Sequence, residues 1–330
     1  MARTPILLFL VFSISACGSS QGGTTPPAAV NAGVPGPLPQ ICSQLNFSSV
    51  NWASGLSLND ETALELALNI SGSFEGNAAW ANLTNDFDGE GLSMGLLNQT
   101  LGTGSLQPLL IQMRDLHMNE MGTFFDSTRF NSLISMLAQW ESSQSSSLVP
   151  EYQVLSLLDV IPLGTNTATV TPNQASVNWA LANLYTDSKG QNFDPTWAAD
   201  LTALTQNPDY VSLQIDAAMD LHNQALSEET LTGVNELRSY LFMFDVNVQD
   251  GGMYSQDWTD FKTWLQSNAS ATDTDRLNEL LTLRLRHVRS AYVSDVQSRK
   301  QAIINGQGFV HGDQRNLETQ YCFDRLVTYP

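Results

Sequence analysis

Between residues 59 and 304 the apolar side chains recur at helical spacing almost without interruption, and that recurrence constrains the fold more than any other feature. In Asn59 to Ile70 the cap candidate Asn59 precedes two acidic residues, Leu64, Ala67 and Leu68 share one stripe, and Gly72 is placed to stop the helix. Leu106 to Met113, Phe130 to Trp140, Ala175 to Leu184, Trp197 to Leu204, Val211 to Leu226, Leu231 to Phe244, Trp258 to Gln266 and Arg276 to Ile304 carry the same period. Strand signals are confined to Phe87 to Leu101, where glycine alternates with apolar residues, and to Thr165 to Thr171. The polar run Ser142 to Ser147 reads as a loop between an N-terminal region and a larger helical body.

The chain opens with a secretion signal over residues 1–17: Arg3 gives the positive start, Ile6 to Phe12 the apolar core, and Ser15-Ala16 the small residues before a cleavage point. Ile14-Ser-Ala-Cys17 resembles a bacterial lipobox, which implies that Cys17 is lipidated and anchors the mature chain to a membrane. An ordinary secretory signal is the alternative. Gly18 follows in place of an aspartate retention signal, so the expected location is the cell envelope, at the outer membrane in a cell that has two membranes. Residues 18–40 hold almost no large apolar side chain and read as a flexible tether, leaving 41–330 as the folded domain. No later stretch approaches the roughly 20 apolar residues of a membrane span, so contact with the bilayer is expected through the anchor alone. In an oxidising compartment Cys42 and Cys322 are expected to pair, with two free buried thiols as the alternative.

The chain carries 33 acidic against 14 basic side chains, a formal charge of −19. Nucleic acid is excluded as a partner, because a polyphosphate needs a basic stripe. An acidic cleft would concentrate a cationic polymer such as one with free glucosamine amines; a solvated surface that keeps the protein soluble explains the charge equally well.

Chemistry concentrates in Ser73-Phe-Glu-Gly76 and Asp86-Phe-Asp-Gly-Glu-Gly-Leu-Ser-Met-Gly95. Glycoside hydrolysis needs one carboxyl group to protonate the leaving oxygen and another to activate water or attack directly. Glu75 follows an apolar helix, where the negative end of the macrodipole and the neighbours Phe74, Ala78 and Trp80 disfavour a bare carboxylate, as a general acid requires. Asp88 precedes Gly89 and Gly91, whose missing side chains let backbone approach a ligand, and Ser93 is placed to orient the water that Asp88 activates. Trp80 lies between the two carboxylates and could stack on a sugar ring. The competing reading makes Asp86 and Asp88 Asx-turn residues and leaves Glu75 solvated. Metal binding is unsupported: Asp86-x-Asp88 begins like a calcium loop, but glycine falls at its fourth position and Leu97 stands where glutamate belongs. His117, His222, His287 and His311 have no zinc spacing, and no cofactor motif appears.

Ala67 to Gly95 resembles the catalytic segment of the chitosanases of glycoside hydrolase family 46, within the lysozyme-like superfamily: an acid glutamate after a helix, then Asp-Gly-x-Gly-x-Thr or Ser. Further matches are Trp197-Ala-Ala, the helix with Gln214, Phe244-Asp-Val-Asn-Val-Gln-Asp-Gly251 and Asp295-Val-Gln-Ser-Arg-Lys300, so the resemblance spans most of residues 60–320. It implies an α+β, mainly α, two-lobed fold with a small β-hairpin and a cleft, working as a monomer on a polysaccharide. It implies Glu75 as acid, Asp88 as base, Ser93 as the water-holding hydroxyl, and Asp245 and Arg299 in an ion network that supports the acid, with Arg315 as a further arginine. The other reading of Asp245 and Arg299 is a structural salt bridge between helices. The chain departs from the pattern in the short step from Glu75 to Asp88, 88 − 75 = 13 residues, which implies a different loop and a more open cleft and leaves Asp86 as an alternative base. Beside a cell wall, peptidoglycan ranks first as substrate, its deacetylated form included, and chitosan second; a glycan-binding lipoprotein without activity is the rival from another class.

Overall fold

The computed structural model describes residues 36–48, 50, 52, 55–146 and 171–330. The secretion signal, Cys17, the tether up to residue 35 and the β-prone stretch 165–170 lie outside the described residues. Eleven helices are present among the described residues: α1 (Leu58–Glu75), α2 (Leu106–Met121), α3 (Ser127–Ser146), α4 (Pro172–Asn183), α5 (Pro195–Thr205), α6 (Pro208–Thr232), α7 (Leu237–Asp250), α8 (Ser255–Ser267), α9 (Asp273–Leu285), α10 (Val293–Asn305) and α11 (Leu317–Tyr321). The strands are few and short. β1 (Leu83–Thr84), β2 (Ser93–Met94) and β3 (Gln99–Thr100) form an antiparallel sheet in chain order, and β4 (Gln307–Val310) pairs with β5 (Asp313–Asn316) as a hairpin. The architecture is α+β and mainly helical. No helix among the described residues is long and apolar enough to cross a membrane.

Two hydrophobic cores account for the layout, and α6 belongs to both. Its first turns put Tyr210 and Leu213 into a core with β2 and helices α2 to α5, while Val211, Ile215, Ala218 and Ala225 face a second core with α1, α7, α9 and α10. α7 is the axis of that second core. Every residue from Leu237 to Asn247 is buried, as in a surrounded helix, and the polar Arg238, Ser239, Asp245 and Asn247 lie among its apolar side chains. Each fully buried leucine of α1, such as Leu64 or Leu66, contributes about 2 kcal/mol.

Several boundaries depart from the sequence expectation, each for a local reason. α1 is capped by Ser57, not Asn59, because Ser57 and Asp60 close a capping box and the Asn59 carboxamide instead accepts from the Leu38 N–H at 2.8 Å. It also runs through Gly72 to Glu75, because Gly72 packs where Leu96 leaves no room for a Cβ. The region Arg276 to Ile304 is two helices rather than one: His287 leaves the helical path to bond Asp257 at 2.9 Å and pack on the Tyr254 ring, and residues 286–292 form the corner. Ser142 to Ser146 continue α3 and do not form a loop. α6 ends at left-handed Gly233, so Leu231 and Thr232 belong to it and not to α7.

Cys42 and Cys322 form a disulfide across 280 residues, with Cα atoms 5.1 Å apart. Closing so long a loop contributes up to about 5 kcal/mol in the chain-entropy picture. It also staples the N-terminal arm to α11, where the Cys42 N–H donates to the Tyr321 carbonyl at 2.8 Å.

Candidate active site

Glu75 is the last residue of α1 and its side chain is 16% exposed. The chain can turn there because residue 76 is glycine: a Cβ would lie 2.1 Å from the Asn82 carboxamide. Arg299 of α10 reaches Glu75 Oε1 through Nη1 at 2.7 Å and Asp245 Oδ1 through Nη2 at 2.7 Å. Asp245 of α7 is fully buried, and Lys300 Nζ closes on its other oxygen at 2.5 Å while donating to the Asp245 carbonyl and to Gln249 Oε1. Burial works to raise the Asp245 carboxyl, but the charges of Arg299 and Lys300 overcome it and hold the group well below the usual carboxylate range. Arg299 is kept charged in spite of its burial by Asp245 and then Glu75, and its guanidinium lies over the Phe74 ring at 5.1 Å. The result is a fixed cation aimed at Glu75, whose carboxylate is the end of this ion chain that reaches solvent.

The apolar surroundings expected for Glu75 are thus only half of its environment. Phe74 supplies an apolar neighbour, and a guanidinium supplies the other side. Arg299 is in direct contact with Glu75, and Asp245 is one step from it. Lys300 was missed as a member, although its place in the apolar stripe of α10 with Val296 and Ile303 is itself a signal: a lysine there must find a buried partner.

The acidic turn joins β1 to β2 and is held by different means. Asp86 Oδ1 accepts from the Gly91 N–H at 2.6 Å, the Asp86 N–H donates to the Gly190 carbonyl at 3.0 Å, and Tyr185 donates its hydroxyl to the Gly91 carbonyl at 2.5 Å. Gly91 sits at φ +78° with Val177 Cα 2.9 Å from where a Cβ would be, so a side chain would be both strained and blocked. These contacts give Asp86 the work of an Asx turn. Asp88 is exposed at the tip, and its Oδ1 accepts from the Glu90 N–H at 3.2 Å. Desolvation by the turn raises the Asp88 carboxyl, and the negative charge of Asp86 adds to the rise. Glu90 is raised by burial as well, against a hydrogen bond from Thr100.

Ser93 is 2% exposed on β2, between Thr84 of β1 and Thr100 of β3. Gln214 of α6 accepts from the Leu96 N–H at 2.8 Å and fixes the turn that follows β2. The sheet is tied to Glu75 through Asn82, which donates to the Glu75 carbonyl and to the Asn98 side chain, both at 3.2 Å. Trp80 is half-buried on a short 3₁₀ turn, edge-on to Phe47, with an indole nitrogen that is buried without a partner among the described residues. Arg315 of β5 stands outside the ion chain: it donates to Ser73 Oγ at 2.8 Å, and its guanidinium lies over the same Phe74 ring, 5.4 Å from the centroid. The fold also gathers His117, Glu120 and Asp209, whose ligand-type atoms lie within 4.8 Å of one another, a grouping that no spacing in the sequence announces.

No family model matches this chain, and no curated protein does. Among solved structures the chain is similar to a chitosanase in a complex structure, at 14% identity and a TM-score of 0.43 over 79% of this chain and 98% of that one. It is also similar to the family 46 chitosanase of Gynuella sunshinyii in complex with chitotetraose, at 13% identity and a TM-score of 0.46 over 79% and 98%. At such identity and TM-score the chemistry of this chain rests on its own side chains.

Proposed function

We propose that this protein is a glycoside hydrolase that cleaves β-1,4 bonds of an amino-sugar polymer, peptidoglycan first and its deacetylated form included. The observation that carries the reading is the ion chain from buried Asp245 through Arg299 to solvent-reaching Glu75. When a general acid gives its proton to a leaving oxygen, negative charge grows on its own carboxylate. A guanidinium already fixed 2.7 Å away stabilises that charge without reorganisation, the form of catalysis that contributes most in enclosed sites. Asp245 and Lys300 keep Arg299 from moving with the substrate.

Asp88 is the general base. A carboxyl raised by its turn is a stronger base than an ordinary aspartate. Water activated by Asp88 and oriented by Ser93 attacks the sugar carbon opposite the departing oxygen, which inverts the anomeric centre. Asp86 is the alternative base, although its hydrogen bond to Gly91 favours a structural task.

The lipobox-like Cys17 supports an envelope location, where peptidoglycan is the polymer at hand. The net charge of −19 favours the second reading, a chitosanase drawing in cationic chitosan. Turbidity loss of purified peptidoglycan beside release of reducing ends from chitosan separates the two. With Glu75→Gln and Asp88→Asn, either rate should fall by about 10²–10⁴-fold. Binding of peptidoglycan with no cleavage of either polymer by the wild type would instead assign a glycan-tethering lipoprotein.

A further inference from the structure

A groove of about 500 Å³ runs beside the C-terminal turn of α1. Its walls come from three places: the stapled N-terminal arm at Gln44, the helix end at Ser73 and Asn77, and β5 at Asp313 and Arg315. Ser73 and Gly76, which flank the proposed acid Glu75 in the chain, both line it. That volume suits a sugar residue and its substituents.

Its lining is unusual for a site meant to hold a polycation. Arg315 donates to Ser73 Oγ at 2.8 Å and to Gln320 Oε1 at 3.2 Å, and rests on the Phe74 ring. All these partners are neutral. Among the described residues no carboxylate lies within ion-pair distance of Arg315, whereas Arg299, on the same ring, touches two. Asp313, two residues earlier on β5, lines the groove from an exposed position. The amides of Gln44 and Asn77 offer donors and acceptors fit for acetamido and hydroxyl groups.

A half-buried guanidinium held in place by neutral contacts and opening on a groove is an anion receptor. We propose that this groove is a subsite for a sugar bearing a carboxylate substituent, with Arg315 as the group that binds the carboxylate. The inference rests on the glycan reading given above and narrows it: a muramyl-type acetamido sugar whose carboxyl is free of a stem peptide fits the groove, and a glucosamine unit with its ammonium group meets a like charge.

Calorimetry on the full chain carrying Glu75→Gln, which blocks turnover, tests the subsite with defined probes. One is an alternating N-acetylglucosamine and N-acetylmuramic acid tetrasaccharide with free carboxylates. The second is the same tetrasaccharide with its carboxyls converted to amides, and the third is neutral N-acetylchitotetraose. The free acid should bind about 10–100-fold more tightly than the amide, the range of a charge-assisted hydrogen bond, and lose that margin at high salt. Adding Arg315→Gln should bring the acid down to the level of the amide and leave N-acetylchitotetraose unchanged, and Arg315→Lys should restore part of the margin. Equal affinity for acid and amide overturns the proposal, as does an Arg315→Gln loss of the same size for all three probes. If Arg315→Gln does not fold, the acid and amide comparison on the Arg315-bearing protein still decides. Failure of the hydrolase reading is distinguishable: a wild type that cleaves no glycan yet prefers the acid keeps the subsite, and one that cleaves glycan without that preference loses it.

Discussion

The two acidic regions of this protein are held by opposite means. Around Asp245 the charges are buried and satisfied by one another, with Arg299 and Lys300 supplied by a separate helix. Around Asp88 they face solvent, and the backbone itself holds them, through glycine conformations and Asx hydrogen bonds. The first arrangement gives one fixed cation at a fixed place. The second gives a carboxylate whose surroundings raise it. A reaction that needs an acid and a base from the same residue chemistry needs this contrast of environments.

The contrast predicts where mutations act. Asp245→Asn leaves Arg299 and Lys300 without a full counter-charge in the core and should cost about 3–5 kcal/mol in urea unfolding, whereas Asp88→Asn should stay within about 0.5 kcal/mol of wild type. Because the folded Asp245 value is lowered, its contribution is present above the unfolded carboxylate range and is lost as pH falls through the folded value. Wild-type stability should therefore decline into acid more steeply than that of Asp245→Asn. Equal slopes would mean that the ion chain does not carry that stability.

A third carboxylate sharpens the comparison, since Glu229 is buried like Asp245 but both its oxygens lack a partner among the described residues. Burial pushes it from 4.5 to about 9, so the folded chain keeps a proton that the unfolded chain releases. Stability should fall as pH rises from about 4.5 toward 9, and Glu229→Gln should flatten that slope and gain on the order of 2–3 kcal/mol at pH 8, read from chemical denaturation.

In the turn, Gly91→Ala should cost about 1–2 kcal/mol by thermal unfolding, from its left-handed backbone and the Val177 contact, and should lower activity by displacing Asp88. The smallest effect belongs to Asp86→Asn. Its side chain can still accept from Gly91, but its charge no longer raises Asp88. The acid limb of the pH–rate profile, where Asp88 takes up a proton, should move to lower pH by less than about one unit. A limb that does not move points away from Asp88 as the base.

Much of this was legible in the chain because the relevant signals are local. The stripe Leu64, Ala67, Leu68 ends where α1 carries Glu75, and an aspartate inside the apolar run Phe244 to Val246 had to meet a cation. What escaped depends on tertiary packing. Gly72 inside α1 is set by Leu96, and the corner at residues 286–292 is set by His287 turning toward Asp257, neither visible in periodicity. That Arg315 has neutral partners and no ion pair among the described residues also required the fold.

The central claim is that Glu75, steadied by Arg299, gives up the proton that breaks the glycosidic bond. The most direct test is the initial rate of peptidoglycan hydrolysis by Glu75→Gln and wild type at matched concentration, with thermal unfolding measured on both. The account predicts a rate lowered by at least about 100-fold with the folded state retained. A folded Glu75→Gln protein that hydrolyses the polymer at the wild-type rate contradicts it.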